Sequence, residues 1–211
     1  MEDPVIEVKA IKLGLLGDST VGKTAICRSL LNLDFCSDML STIGCDKLET
    51  KFSTKNGKQI KLCLLDSAGQ ERFRSMAFTA LKAVHGLILV FDVSLRDSFD
   101  NINMWLKLIH ENFDNPCLVL FGNKIDKDKS EWKVTPEEIE KLVEDNKLTY
   151  FETSAKTKKG ITEGFDYIVN IAYDKVETKK KVNNNNNNIK LKNDNNNNKE
   201  EKKKKCCSGN K

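Results

Sequence analysis

The octapeptide Gly17-Asp18-Ser19-Thr20-Val21-Gly22-Lys23-Thr24 limits what this chain can fold into more than any other stretch. It follows the apolar run Ile11 to Leu16, which reads as a strand, and it opens Lys23 to Leu31, which reads as a helix. Two glycines with four residues between them, then Lys and a hydroxyl, in that strand-to-helix setting, make a phosphate loop. Backbone amides and the helix N-terminus would wrap phosphates, Lys23 would reach the outer ones, and the Thr24 hydroxyl would bind Mg²⁺. At average residue usage this spacing arises by chance in about one per cent of chains of this length, so a plain tight turn is the poorer reading.

Strand-like and helix-like segments alternate through the rest of the chain. Lys47 to Ser53 and Gln59 to Leu65 read as paired strands joined through Asn56-Gly57, a hairpin signal, and Glu71 to Lys82 reads as helix. Leu87 to Val93, the periodic set Phe99, Ile102, Leu106, Ile109 and Phe113, and the run Cys117 to Phe121 follow. A capping box at Thr135, Pro136 and Glu138 opens another helix; Tyr150 to Glu152 and the stripe Ile161, Phe165, Ile168, Val169, Ala172 close the series. This order predicts an α/β phosphate-loop NTPase fold: a six-stranded, mostly parallel sheet with one antiparallel edge strand and helices on both faces. Ligands of such folds bind at the carboxyl ends of the strands.

The chain's 211 residues allow one domain and a tail. Residues 178–211 hold eleven Lys against three acids, so the whole-chain charge of +4 leaves residues 1–177 at −4. An acidic globular part argues against nucleic-acid binding, which relies on a basic face. Cys27, Cys36, Cys45, Cys63 and Cys117 lack metal-ligand spacing and read as reduced thiols. Met1 to Ala10 has neither the basic start nor the apolar run of a signal peptide, and no stretch reaches the roughly 18 apolar residues of a spanning helix. His85 and His110 read as bland, Trp105 as core and Trp132 as a loop contact.

A phosphate loop alone does not choose a base. Asn123-Lys124-Ile125-Asp126, just beyond the run Cys117 to Phe121, lies where a base-reading loop would lie. The Asp126 carboxylate has two acceptor oxygens for guanine's adjacent N1 and N2 donors; adenine offers an acceptor and a hydrogen there and would leave it unpaired. A phosphate-loop kinase or ATPase conflicts with that preference.

The ordered set Gly17 to Thr24, Ser41-Thr42-Ile43-Gly44, Asp66-Ser67-Ala68-Gly69-Gln70-Glu71, Asn123 to Asp126 and Thr153-Ser154-Ala155-Lys156 resembles the small GTPases over residues 10 to 177. Ser41 to Gly44, Gln70-Glu71-Arg72-Phe73-Arg74-Ser75 and the pair Cys206-Cys207 look like the Rab branch, which directs vesicle traffic. The resemblance implies a switch that binds GTP and GDP with Mg²⁺ and hydrolyses GTP slowly, the alternative being a GTP-binding module with little hydrolysis. It also implies that Thr42 closes on Mg²⁺ and the γ-phosphate, Asp66 holds Mg²⁺ through water, and Gly69 donates its amide to the γ-phosphate. Gln70 would orient the attacking water while Lys23 and Mg²⁺ offset phosphoryl charge. Phe35 would edge the guanine, the Ala155 amide would meet guanine O6, and Lys156 would lie beside the ring, with Ser154 and Lys124 completing the pocket. Exchange factors, GTPase-activating proteins, effectors and prenyl-escort or GDP-dissociation-inhibitor proteins would be the partners of a monomer.

The match departs from the Rab pattern where effectors are expected. Asp46 is followed by Lys47-Leu48, Leu65 precedes Asp66, Ala80-Leu81 stands where a tyrosine pair is usual, and Lys82-Ala83-Val84 replaces a basic-Gly-Ala sequence. Thr20 stands where a small residue is common.

Beyond about residue 177 the composition turns to Lys and the tracts Asn183 to Asn188 and Asn195 to Asn198, too poor in apolar surface to offset ordering entropy. The predicted organisation is therefore a GTPase domain over 1–177 and a disordered tether over 178–211. A C-a-a-X signal is not matched because Ser208 is fourth from the end. Paired cysteines such as Cys206-Cys207 are usually both geranylgeranylated in Rab proteins, and with Lys202 to Lys205 would hold the protein on the cytoplasmic face of an anionic membrane, alongside a cytosolic pool.

Overall fold

The computed structural model describes residues 10–36, 42, 45–67 and 74–178. The chain divides into two units, Met1–Ala172 and Tyr173–Lys211.

In the first unit the elements run β1 (Ala10–Leu16), α1 (Lys23–Leu30), β2 (Cys45–Ser53), β3 (Gln59–Ser67), α2 (Arg74–Leu81), β4 (Gly86–Asp92), α3 (Arg96–Asp100) and α4 (Ile102–Asn112). There follow β5 (Cys117–Asn123), α5 (Pro136–Asn146), β6 (Thr149–Glu152) and α6, the helical residues 161–172. In the second unit residues 173–178 are helical, with the Thr178 hydroxyl donating to the Asp174 carbonyl at 2.8 Å. No helix among the described residues is long and apolar enough to cross a membrane.

The sheet has six strands in the order β2-β3-β1-β4-β5-β6. All neighbours are parallel except the edge pair β2–β3, which is antiparallel from Cys45↔Ser67 to Ser53↔Gln59. Asn56-Gly57 sits in the turn between them, Gly57 at φ 72, within a connection closed by the Thr54 amide on the Lys58 carbonyl at 2.9 Å. β4 is buried at every position, as a strand covered on both faces must be.

The pleat of β4 and β5 sorts the core into two layers. Leu87, Leu89, Phe91 and Leu120 join Phe78 and Leu81 of α2, Ile102, Trp105, Leu106 and Ile109 of α4, and Ile139 and Leu142 of α5. On the opposite face Phe121 meets Phe165 of α6 edge-on, centroids 5.9 Å apart. A side chain added at Gly86 would crowd Leu13 as well as Ile168 of α6. The expected sheet with helices on both faces is the one found.

The periodic set Phe99 to Phe113 reads as one helix in sequence but is broken at Asn101, which separates α3 from α4. The apolar spacing runs on across the break because Phe99 and Ile102 both stay buried, so periodicity alone does not reveal it. At Thr135 both halves of the capping box form: the Thr135 hydroxyl accepts the Glu138 amide (3.3 Å) and Glu138 accepts the Thr135 amide (2.9 Å). Replacing Thr135 by Ala should lower stability by about 1 kcal/mol, seen as a lower urea midpoint with unchanged slope at saturating GDP.

Candidate functional site

β1, β3, β4 and β5 end on the same edge of the sheet, and the loops that leave them carry the residues singled out in sequence. The loop after Leu16 bends through Gly17 to Gly22. Gly17 has φ 137, and a side chain there would collide with the Val90 carbonyl of β4. Gly22 is left-handed at φ 101, and a side chain there would collide with the Asn123 amide nitrogen. Both glycines are thus required for close approach as well as for φ. Thr20 adopts φ 65, a conformation few β-branched residues take, and its carbonyl accepts from Lys124 Nζ at 2.8 Å.

Helix α1 begins at Lys23 with Gly22 as its N-cap and no side-chain cap. Its first-turn amides are therefore free of a side-chain partner, an arrangement that suits an anion. Lys23 is buried and reaches back over the loop, donating to the carbonyls of Gly17 (3.0 Å) and Asp18 (2.7 Å). Burial brings its pKa down to about 8, against the opposing pull of the Asp66 and Asp18 carboxylates.

Three oxygen groups converge beside it. Thr24 Oγ1 donates to Asp66 Oδ2 at 2.5 Å and lies 2.9 Å from Thr42 Oγ1, and Thr42 Oγ1 donates to Asp66 Oδ2 at 3.4 Å. Asp66 is fully buried at the end of β3, and its Oδ1 has no partner among the described residues. Burial raises its pKa, with the bond from Thr24 and the Lys23 charge opposing. An all-oxygen cluster with a buried, half-satisfied carboxylate fits a hard cation such as Mg²⁺.

Asn123, at the end of β5 and 1% exposed, joins three loops. Its Nδ2 donates to the Val21 carbonyl at 2.9 Å, and its Oδ1 accepts the Ala155 amide at 3.2 Å and the Thr153 hydroxyl at 3.5 Å. Both ends of its amide, and the Ala155 N–H, are thus engaged within the protein. Lys124 pairs with Asp92 at 2.7 Å, and the Ser154 hydroxyl donates to Asp126 Oδ1 at 2.6 Å. Ser154 thus fixes one oxygen of the Asp126 carboxylate. Phe35 and Ala155 line one cleft with Ala25, Arg28 and Ser29, Phe35 being 49% exposed. Lys156 is exposed, and Ser19 and Val21 lie in the loop body. Gly69, Gln70, Cys206 and Cys207 lie outside the described residues.

Two contributors escape a reading of the sequence: Asn101 and Trp105 of α4 both donate to the Asp18 carboxylate. Trp105 presents as an apolar core position, and only its indole N–H gives it a second use. His85 serves the fold, its Nδ1 accepting the Lys12 amide at 2.9 Å. Trp132 makes a loop contact through its indole to the Lys127 carbonyl at 3.3 Å.

An uncapped helix behind a glycine loop, with a buried Lys and a buried carboxylate at the end of the neighbouring strand, defines a phosphate-loop nucleotide site. The sequence matches the Ras family over residues 12–174. It is 39% identical over 155 residues to Ras-related protein Rab-13 of Rattus norvegicus, covering 73% of this chain and 75% of that one. It is 38% identical over 156 residues to Ras-related protein RAB1BV of Beta vulgaris (74% and 72%) and 40% identical over 161 residues to Ras-related protein Rab-26 of Bos taurus (75% and 62%). The chain belongs to the Ras family, as a Rab-type small GTPase: it binds guanine nucleotide, hydrolyses GTP to GDP and acts in membrane traffic.

The fit of Asn123 against Gly22 makes a direct prediction. Gly22→Ala should force the Asn123 amide aside and part the phosphate loop from the base loop. The variant should lose bound GDP at least about tenfold faster than the parent in a fluorescent-GDP chase, with the fold retained by circular dichroism.

Proposed function

We propose that this GTPase works as a switch in which one half of the site is fixed and the other closes on GTP. The observation that carries the reading is the meeting of Thr24, Thr42 and Asp66 beside buried Lys23. The amides of the loop Gly17, Asp18, Ser19, Thr20, Val21 and Gly22, together with the N-terminus of α1, hold the phosphates, and Lys23 gives up its loop carbonyls for phosphate oxygens. Thr24 and Thr42, with Asp66 through water, would hold Mg²⁺, which would supply positive charge against the phosphate oxygens. Asp126 takes the guanine N1 and N2 hydrogens, held in aim by Ser154. Asn123 and Lys124 brace that loop, and Phe35, Ala155 and Lys156 border the ring.

For hydrolysis, Gln70 orients a water in line with the γ-phosphate while Lys23 meets the charge that develops on the phosphoryl oxygens. The bond to the γ-phosphorus forms from water as the bond to the β,γ-bridging oxygen breaks, with no covalent enzyme intermediate. Loss of the γ-phosphate withdraws the ligand of Thr42 and Gly69, and the surface offered to partners changes with it.

The partner classes of the family (exchange factors, activating proteins, effectors and GDP-dissociation inhibitors) act on a monomeric domain over residues 1–177. Which effectors bind turns on the β2–β3 surface, where Lys47 stands directly opposite Leu65. Beyond that domain, lipids on Cys206 and Cys207 with Lys202 to Lys205 hold the protein on the cytoplasmic face of its membrane.

Two experiments test this. In single-turnover hydrolysis of preloaded GTP, Gln70→Leu should slow conversion to GDP by about tenfold or more while leaving GTP bound; an unchanged rate would remove Gln70 from its assigned role. In cells, the full chain carrying Cys206→Ser and Cys207→Ser should move from the membrane pellet to the supernatant. Continued recovery with membranes would mean that the anchor lies elsewhere.

A further inference from the structure

Trp105 heads the fully buried side chains by size, yet one of its atoms is not among apolar neighbours. Its indole N–H donates to Asp18 Oδ1 at 2.8 Å, and Asp18 Oδ2 accepts from Asn101 Nδ2 at 2.7 Å. Asn101 and Trp105 are one helical turn apart, the Trp105 amide donating to the Asn101 carbonyl at 3.0 Å, so both side chains leave α4 on one face. Asn101 occupies the N-cap of α4, a position where Asn ordinarily accepts first-turn amides; it makes no such bond, and its amide is turned to Asp18 instead.

Asp18 belongs to the phosphate loop, and its own carbonyl accepts from Lys23 Nζ at 2.7 Å. Its side chain is therefore fixed to α4 while its main chain holds the Lys that faces the phosphates. Both carboxylate oxygens are aimed at donors on α4, which keeps this negative charge from turning toward a bound phosphate. Bonds of this type, neutral donor to carboxylate, are short and among the stronger ones a protein makes. The Trp105 ring also meets Phe78 of α2, centroids 6.3 Å apart, so the helix that holds the loop is itself seated in the core.

We infer that Asp18, Asn101 and Trp105 form a strut that positions the phosphate loop from α4 and so sets how long guanine nucleotide stays bound. They are positioning residues, acting through the loop main chain and Lys23. The inference rests on the reading of Gly17 to Thr24 as the phosphate site.

The test uses the full chain loaded with fluorescent GDP. Trp105→Phe keeps the ring and removes the donor, and Asp18→Ala removes both acceptors; each should speed GDP release about tenfold. The double variant should be no faster than Asp18→Ala alone, because the two substitutions break the same bond. Leu106→Val, a neighbouring core truncation on α4, should lower the melting temperature without altering release. In a ¹⁵N spectrum the Trp105 indole resonance, assigned by its loss in Trp105→Phe, should move upfield in Asp18→Ala. Release rates unchanged by Trp105→Phe, effects that multiply in the double variant, equal acceleration by Leu106→Val, or an unmoved indole resonance would each overturn the strut. A parent protein that retains no guanine nucleotide would undo the phosphate-site reading and the inference with it; a parent that retains GDP while the variants release it normally would sink the strut alone.

Discussion

Asn123 lies where Gly22 has no side chain, and the geometry of the whole site follows from that contact. A carboxamide has two donors and an acceptor with two lone pairs, and here the ends reach different loops. The donor end fixes the Val21 carbonyl of the phosphate loop, and the acceptor end fixes the Ala155 amide and the Thr153 hydroxyl after β6. The loops after β1, β5 and β6 are thereby set against one another without a ligand to organise them. Because the residue is 1% exposed, water cannot replace these bonds cheaply, and any change that unseats it leaves buried polar atoms unpaired. The requirement for glycine at position 22 and for asparagine at position 123 is one requirement seen from two sides.

A second constraint is electrostatic. Lys23 and Asp66 are both buried, and burial opposes the charged form of each, lowering the pKa of the first and raising that of the second. Each is the other's counter-charge, which limits the penalty. Neither is fully satisfied: Lys23 rests on two carbonyls, and one oxygen of Asp66 is unpaired among the described residues. Such a pair is strained toward a ligand that carries both signs, and a phosphate with its cation is one. Groups held in place before the ligand arrives need little reorganisation when charge develops, which is where most electrostatic catalysis originates.

Much of this was legible in the sequence, for identifiable reasons. The inner strands β1, β3, β4 and β5 announce themselves as apolar runs, the α5 start as a capping box, and the phosphate loop as two glycines before Lys23-Thr24, because each is a local pattern with a local cause. The break at Asn101 is not local: α3 and α4 both keep their apolar side inward, so the spacing continues through it. Trp105 was legible only as core, since periodicity reports where a ring goes and is silent on where its N–H points. Asn123 was legible as part of a base-reading string, whereas its use as a clasp depends on the gap at Gly22, a meeting of residues 101 positions apart in the chain. What sequence could not supply in each case was a partner distant in the chain.

The same geometry explains how one site can be both permanent and switchable. The loops after β1, β5 and β6 are joined by bonds whose partners are all protein, so they do not depend on which nucleotide is present. Thr42, by contrast, meets the fixed half of the site through its hydroxyl, on Thr24 and Asp66, the two groups proposed to hold the cation. On that assignment its position is decided by the charge of what is bound, because only a cation held by a γ-phosphate gives the hydroxyl a ligand better than its neighbours. A fixed base pocket and a ligand-dependent lip then follow from one difference: whether a loop's hydrogen bonds are closed within the protein or left open toward the phosphates.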